Sequence, residues 1–165
     1  MNSYMTNGTV SYLQSLADNH PELEFYLMTD QDGAMLYYES DEQTIFELGR
    51  SFQAVIESGK LSHTGYVVIN HIPVAEEGHA MFEERFKQRQ QQVENTPGFK
   101  AFRLLRPLSG NTYAAFTQWQ SKKAFEDWTN SDDFKKAHSK PSRPPAYQAD
   151  RPFLKKYIMI DHTEK

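Results

Sequence analysis

A chain of 165 residues with 38% hydrophobic and 13% aromatic side chains has enough large apolar groups to bury a core, as one domain or two small ones. No apolar run approaches the roughly 18–20 residues that a membrane span needs, and no signal-peptide apolar region opens the chain, so the expectation is a soluble, cytoplasmic protein without a membrane partner. The absence of cysteine excludes disulfides, thiolate zinc sites, iron–sulfur clusters and thiolate-ligated haem, and a net charge of −4 argues against nucleic acid as a partner.

In chain order, "NSYMTNGTV" reads as a strand and "VSYLQSLADNH" as a helix, with Val10, Leu13, Leu16 and Ala17 at helical spacing and His20-Pro21 as its stop. "LEFYLMT" and "AMLYYE" flank "DQDG", in which Asp32-Gly33 signals a hairpin because glycine tolerates positive φ. A further helix is expected over "RSFQAVIESG", with Phe52, Val55 and Ile56 on one face and Gly59 as its stop. The pattern of this first half is β-α-β-β-α. So small a unit is expected to lean on the rest of the chain.

The second half opens with the strand "GYVVINHIPV", followed by a helix in "EEGHAMFEERFKQRQQQVENTPGF" with Phe82, Phe86 and Val93 facing a core and Pro97-Gly98 at its end. Two strands, "FKAFRLLRPL" and "TYAAFTQW", are joined by the turn "SGN". Then come a helix at "SKKAFEDW", a short helix at "DDFKKAH", a proline-rich loop and a last strand "FLKKYIMI". With right-handed crossovers, the order β-α-β-β-α-β packs helices on one face of an antiparallel sheet, an α+β, ferredoxin-like arrangement. The first half reads as a degenerate copy, although identity between the halves is too low to define a repeat. The expected division is 1–62 and 63–162.

Three residues are candidates for chemistry. In "WTNSDDFKKAHSKPSRPP" the segment "TNSDD" is an N-cap signature, so Trp128 closes one helix and His138 lies on the last turn of a separate short one, ended by Pro141. A histidine there sits at the negative end of a helix dipole, with one ring nitrogen free as a metal ligand. A histidine at a helix end is as a rule a solvated cap, and Trp128 beside Phe125 and Phe134 is by default core packing. In "YVVINHIPV", Tyr66, Val68, Asn70, Ile72 and Val74 share one strand face and Asn70 interrupts its apolar stripe, while His71 points the other way. A buried amide must find partners or cost roughly 1–3 kcal/mol, so Asn70 either bonds neighbouring backbone or projects into a cavity where it meets a ligand.

"FEERFKQRQQQVENTPGFKAFRLLRPL" resembles the helix–turn–strand of the antibiotic-biosynthesis monooxygenase (ABM) family, whose fold is ferredoxin-like and of the dimeric α/β-barrel type. "FEDWTNSDDFKKAHSK" is similar to the Trp-and-His segment of that family's haem-degrading, IsdG-type branch, and Asn70, Trp128 and His138 fall where that branch uses its Asn, Trp and His. The resemblance covers about residues 64–161. Cofactorless quinone-forming members also use Asn, Trp and His.

The resemblance implies a haem-degrading monooxygenase, with haem as cofactor and substrate, dioxygen, and an external electron donor as partner. His138 would be the axial iron ligand, Asn70 would hydrogen-bond the ligand on the opposite side of the iron, and Trp128 would press the macrocycle out of plane. The loop Ser139–Arg151 would close the pocket, with Arg143 facing a propionate or simply solvated. The longer, two-domain haem-degrading members provide the template for the extra N-terminal half. It would supply the sheet that a second subunit supplies elsewhere, forming a pseudo-dimer of two tandem halves and making a monomer with one active site the expected state. The alternatives are a cofactorless monooxygenase of a polycyclic phenol and a non-enzymatic haem-binding or stress protein.

Overall fold

Eight strands alternate side chains between the inside and the outside of a closed barrel. The computed structural model describes residues 1–131 and 150–161, with residues 89–92 described by backbone alone. Its elements are β1 (Asn2–Gly8), α1 (Val10–Asp18), β2 (Tyr26–Thr29), β3 (Ala34–Ser40), β4 (Arg50–Gly59), β5 (Tyr66–Pro73), α2 (His79–Glu94), β6 (Phe99–Pro107), β7 (Thr112–Trp119), α3 (Lys122–Thr129) and β8 (Phe153–Ile160). The short helix expected over 132–138 lies outside the described residues, as does the proline-rich loop up to residue 149.

Around the barrel the strands run β1-β3-β2-β8-β5-β7-β6-β4, and β4 closes on β1. The first four are therefore ordered β4-β1-β3-β2 and the last four β8-β5-β7-β6, and every pairing among them is antiparallel. One interior cluster draws Met5, Met28, Met35 and Tyr37 from the first half and Val67, Ile69, Phe116 and Tyr157 from the second. Three outer clusters lie under the helices, with Leu13 and Ala17 of α1 in one, Phe82 of α2 in another, and Phe125 of α3 in the third.

Local chemistry explains the expected elements. Thr9 caps α1 by accepting the Tyr12 N–H, and Leu13 and Ala17 are buried. Val10 is exposed, so the apolar stripe of α1 begins a turn later than its spacing suggests. In the β2–β3 hairpin, Asp30 Oδ1 accepts the backbone N–H groups of Asp32 and Gly33 at 2.8 and 3.0 Å. Helix α2 is tied to the sheet by Glu83, whose carboxylate accepts Arg106 Nε at 2.8 Å and Arg106 Nη2 at 2.6 Å, together with the Tyr113 hydroxyl.

Residues 50–59 form a strand, not the helix that Phe52, Val55 and Ile56 suggested. The register of β4 on β6 slips between Ala54 and Ile56, so Val55 is an extra residue in a β-bulge. Phe52 consequently enters the barrel interior, whereas Ile56 packs outside under α2. A bulge thus imitated the i, i+4 spacing of a helix face. Pairing on both edges decided the outcome, because β4 hydrogen-bonds β1 and β6 and leaves no open sheet edge. The first half is β-α-β-β-β.

Gly59 has a different role from the one its position suggested. Its φ is +73°, and a Cβ there would lie 2.1 Å from the Lys100 carbonyl oxygen on β6. Gly59→Ala is therefore expected to destabilise the fold by roughly 1–3 kcal/mol or more, read as a lowered urea midpoint; an unchanged midpoint would show that the β4–β6 seam relaxes freely.

Candidate functional site

Strand β5 separates two adjacent polar side chains. Val67 and Ile69 lie in the interior cluster, and Tyr66, Val68 and Ile72 lie in the outer clusters. The period of two therefore sends Asn70 outward and His71 inward, as the sequence pattern predicts.

On the outer face Asn70 is half-buried, and its amide forms no hydrogen bond among the described residues. The reading in which neighbouring backbone satisfies it does not hold among those residues. Across the sheet it faces Ala115 of β7 and Leu154 of β8. Ala115 is small, and Leu154 is 52% exposed. Two residues back along the same face, about 7 Å, Val68 belongs to the cluster against which Trp128 packs. Trp128 stands with its ring 5.4 Å from that of Trp119, which is fully buried, and 6.5 Å from that of Phe125. Ser121 caps α3 through the Ala124 N–H, and Phe125 is the helix's buried anchor, which fixes where Trp128 emerges on the last turn.

Sequence reasoning did not single out the β8 side of this face. Leu154, Lys156 and Ile158 project outward beside Asn70, Val68 and Tyr66, and Lys156 Nζ lies 5.6 Å from the centre of the Phe125 ring. Alternation in "FLKKYIMI" is the signal that would have found them. The resulting surface is an apolar strip holding one amide that forms no hydrogen bond among the described residues, bordered by an indole and an ammonium group. The strip suits a flat, largely apolar ring system with acidic substituents.

The structure brings Asn70 and Trp128 to one face, while His138 and Arg143 lie outside the described residues. Among the described residues no group of three or more His, Asp or Glu side chains could hold a metal ion.

His71 serves a different place. It is 3% exposed, its ring stacks on Phe153 at 4.8 Å, and it lines a cavity at one end of the barrel. Burial, and then the nearby Arg50 and Lys155 cations, push its imidazole down to about 4, so it is neutral at pH 7. The other end of the barrel is filled by Arg103, which donates to Glu39 at 2.9 Å and to the Ser58 carbonyl at 2.9 Å, with the Tyr37 hydroxyl 2.9 Å from the same carboxylate oxygen.

This architecture is the ferredoxin-like fold of the ABM monooxygenases, and residues 65–140 match the family described as antibiotic biosynthesis monooxygenase. The chain is 27% identical over 137 residues to signal transduction protein TRAP of Staphylococcus aureus, which spans 83% of this chain and 82% of that protein. A solved structure described as a major regulator of staphylococcal pathogenesis superposes with a TM-score of 0.84 at 25% identity, covering 96% of this chain and 99% of the other. The crystal structure of LmHde, a heme-degrading enzyme from Listeria monocytogenes, superposes with a TM-score of 0.77 at 21% identity, covering 97% and 100%.

The neutral state of His71 carries a pH dependence. In the unfolded chain the imidazole takes up a proton near its ordinary value of 6.5, whereas in the fold it resists protonation down to about 4. The unfolded state therefore binds more protons in that window, and stability falls as the pH drops through it, by an amount on the order of 3 kcal/mol in full. His71→Gln is expected to flatten the loss measured by urea unfolding between pH 7 and pH 4.5; an equal loss in both proteins would assign the acid sensitivity to other groups.

Proposed function

We propose that this protein degrades haem oxidatively, with haem as the substrate bound on the outer face of the second-half sheet. The observation that carries this reading is the Asn70 amide, without a hydrogen bond among the described residues, on an apolar face that it shares with Trp128. Exposed Leu154 and Ile158 offer apolar contact to a porphyrin, and Lys156 offers an ammonium group to a propionate. The heme-degrading enzyme among the neighbours of the same fold adds support.

In this reading His138 holds the iron through a neutral imidazole nitrogen. Bound haem supplies both the metal at which dioxygen reacts, with electrons from an external donor, and the ring carbon that is oxidised. Asn70 would offer its amide N–H as a hydrogen-bond donor to the bound haem and its ligand. Trp128, backed by the fully buried Trp119, would lie against the porphyrin ring. Arg143 would pair with a propionate in the same reading.

The two quartets of strands correspond in this reading to segments 1–62 and 63–162. The first takes the place of a second subunit's sheet, so that one chain forms a monomer with one haem site. The identical strand order in the two quartets supports that arrangement.

The similarity to signal transduction protein TRAP favours a second reading, a protein that signals and does not turn haem over. Haemin mixed with the protein and then given ascorbate in air separates the two. Degradation predicts decay of the Soret band and iron captured by a ferrous chelator, whereas a stable spectrum would leave binding alone. His138→Ala is expected to abolish the Soret signature of ligated haem. Asn70→Ala is expected to bind haem normally but slow the decay by roughly a hundredfold, the scale for losing one preorganised donor, and wild-type decay in that variant would remove Asn70 from the mechanism. Trp128→Phe should bind haem and degrade it more slowly.

A further inference from the structure

Strands of unequal length open one end of the barrel. Strand β2 ends at Thr29 and pairs with β8 only at Ile158–Ile160, and β4 begins at Arg50, so the Phe153–Tyr157 stretch of β8 and the Asn7–Gly8 end of β1 face a shared space. That space is a cavity of about 610 Å³, within the ~300–1,000 Å³ of sites for small organic molecules. It lies inside the barrel mouth, on the face of β5 opposite Asn70.

His71 is aimed into this cavity from β5. It is 3% exposed and forms no hydrogen bond among the described residues. Its ring nitrogens are not among the side-chain atoms closed off from solvent without a partner, so they open onto the cavity, where an acceptor can reach them. Arg50 and Lys155 line the same cavity, and among the described residues neither forms an ion pair with a carboxylate; Arg50 donates instead to Asn7 Oδ1 at 3.1 Å.

Asp30 and Asp32 also line the cavity, on the β2–β3 turn. Asp30 Oδ1 is taken by two backbone N–H groups of that turn, and Asp32 is exposed. The charged groups acting on the His71 ring are Arg50 and Lys155, whereas Asp30 acts on Tyr157 in the same cavity. The field at His71 is therefore positive, while Phe153 and Tyr157 supply aromatic walls.

We propose that the barrel mouth is a binding site for a small organic carboxylate, whose oxygens meet Arg50, Lys155 and the His71 N–H and whose body lies against Tyr157 and Phe153. A guanidinium, an ammonium group and a neutral ring N–H are three donors converging on one acceptor group. The cavity exceeds what a bare inorganic ion requires. This site is independent of the haem reading, since no residue is shared between them.

The test is a titration of the whole protein at pH 7 with benzoate, benzyl alcohol, benzylamine and inorganic phosphate, followed through the imidazole ¹H–¹³C resonances, with the His71 signal assigned from its loss in His71→Gln. Benzoate is expected to move the His71 signal saturably and to bind at least tenfold tighter than the alcohol, the amine or phosphate. No saturable shift, or equal binding of the alcohol, would overturn the site; phosphate binding as tightly as benzoate would overturn its assignment to organic acids. Lys155→Gln and Arg50→Gln should each weaken benzoate at least fivefold, with Lys155→Arg restoring most of the affinity, and undiminished binding in both Gln variants refutes the proposed donors. Asn70→Ala should leave benzoate binding unchanged whatever its effect on haem.

Discussion

The period of two along β5, enforced by pairing on both of its edges, governs the chemistry of this protein. A strand hydrogen-bonded to β7 on one side and β8 on the other cannot rotate about its axis, so adjacent residues must face opposite sides of the barrel wall. Asn70 goes to the outer, helix-covered side and His71 to the interior. One register shift would exchange them, placing the imidazole on the outer face and the amide in the barrel interior. The pairing is protected against such a slip because the same shift would drive the buried aliphatic side chains of Val67 and Ile69 to the outer face.

Barrel closure makes this register possible. The interior core is common to both halves of the chain, so neither half retains its inner apolar face when separated from the other. Closure also consumes every sheet edge, including those of β4, whose bulge reconciles one strand with two apolar surfaces. The two ends of the barrel then differ for simple reasons of length and charge. One is plugged by Arg103, Glu39 and Tyr37, which satisfy one another. The other stays open because β2 is short and β4 starts late, and among the described residues neither Arg50 nor Lys155, which line it, forms an ion pair with the Asp30 and Asp32 carboxylates beside them.

The outer face is suited to holding a flat ligand. Trp119 is fully buried behind Trp128, and Phe125 anchors α3, so the indole is backed on one side by material that does not yield. Ala115 keeps the floor beside Asn70 low, and the exposed aliphatic side chains of β8 extend it.

Much of this was legible from residues alone. Alternation in "YVVINHIPV" identified a strand with Asn70 and His71 on opposite faces, the Asp-Gly turn located the first hairpin, and helical spacing located α1 and α2, because each signal is local and reports the periodicity of one element. The segment 50–59 has the apolar spacing of a helix because the β-bulge at Val55 breaks the strand's alternation and sends Phe52 and Ile56 to opposite faces, and only the partners β1 and β6 reveal the strand. The outward row Leu154, Lys156 and Ile158 and the cationic mouth around His71 were invisible for a related reason. They are assembled from residues far apart in the chain, brought together by strand pairings and by differences in strand length that no local pattern encodes. Sequence by itself determined the elements with a clean local period and which face of β5 each polar side chain takes, whereas tertiary structure decided that 50–59 is a strand and what stands opposite Asn70 and His71, because neighbours across a closed sheet are set by long-range register rather than by local spacing.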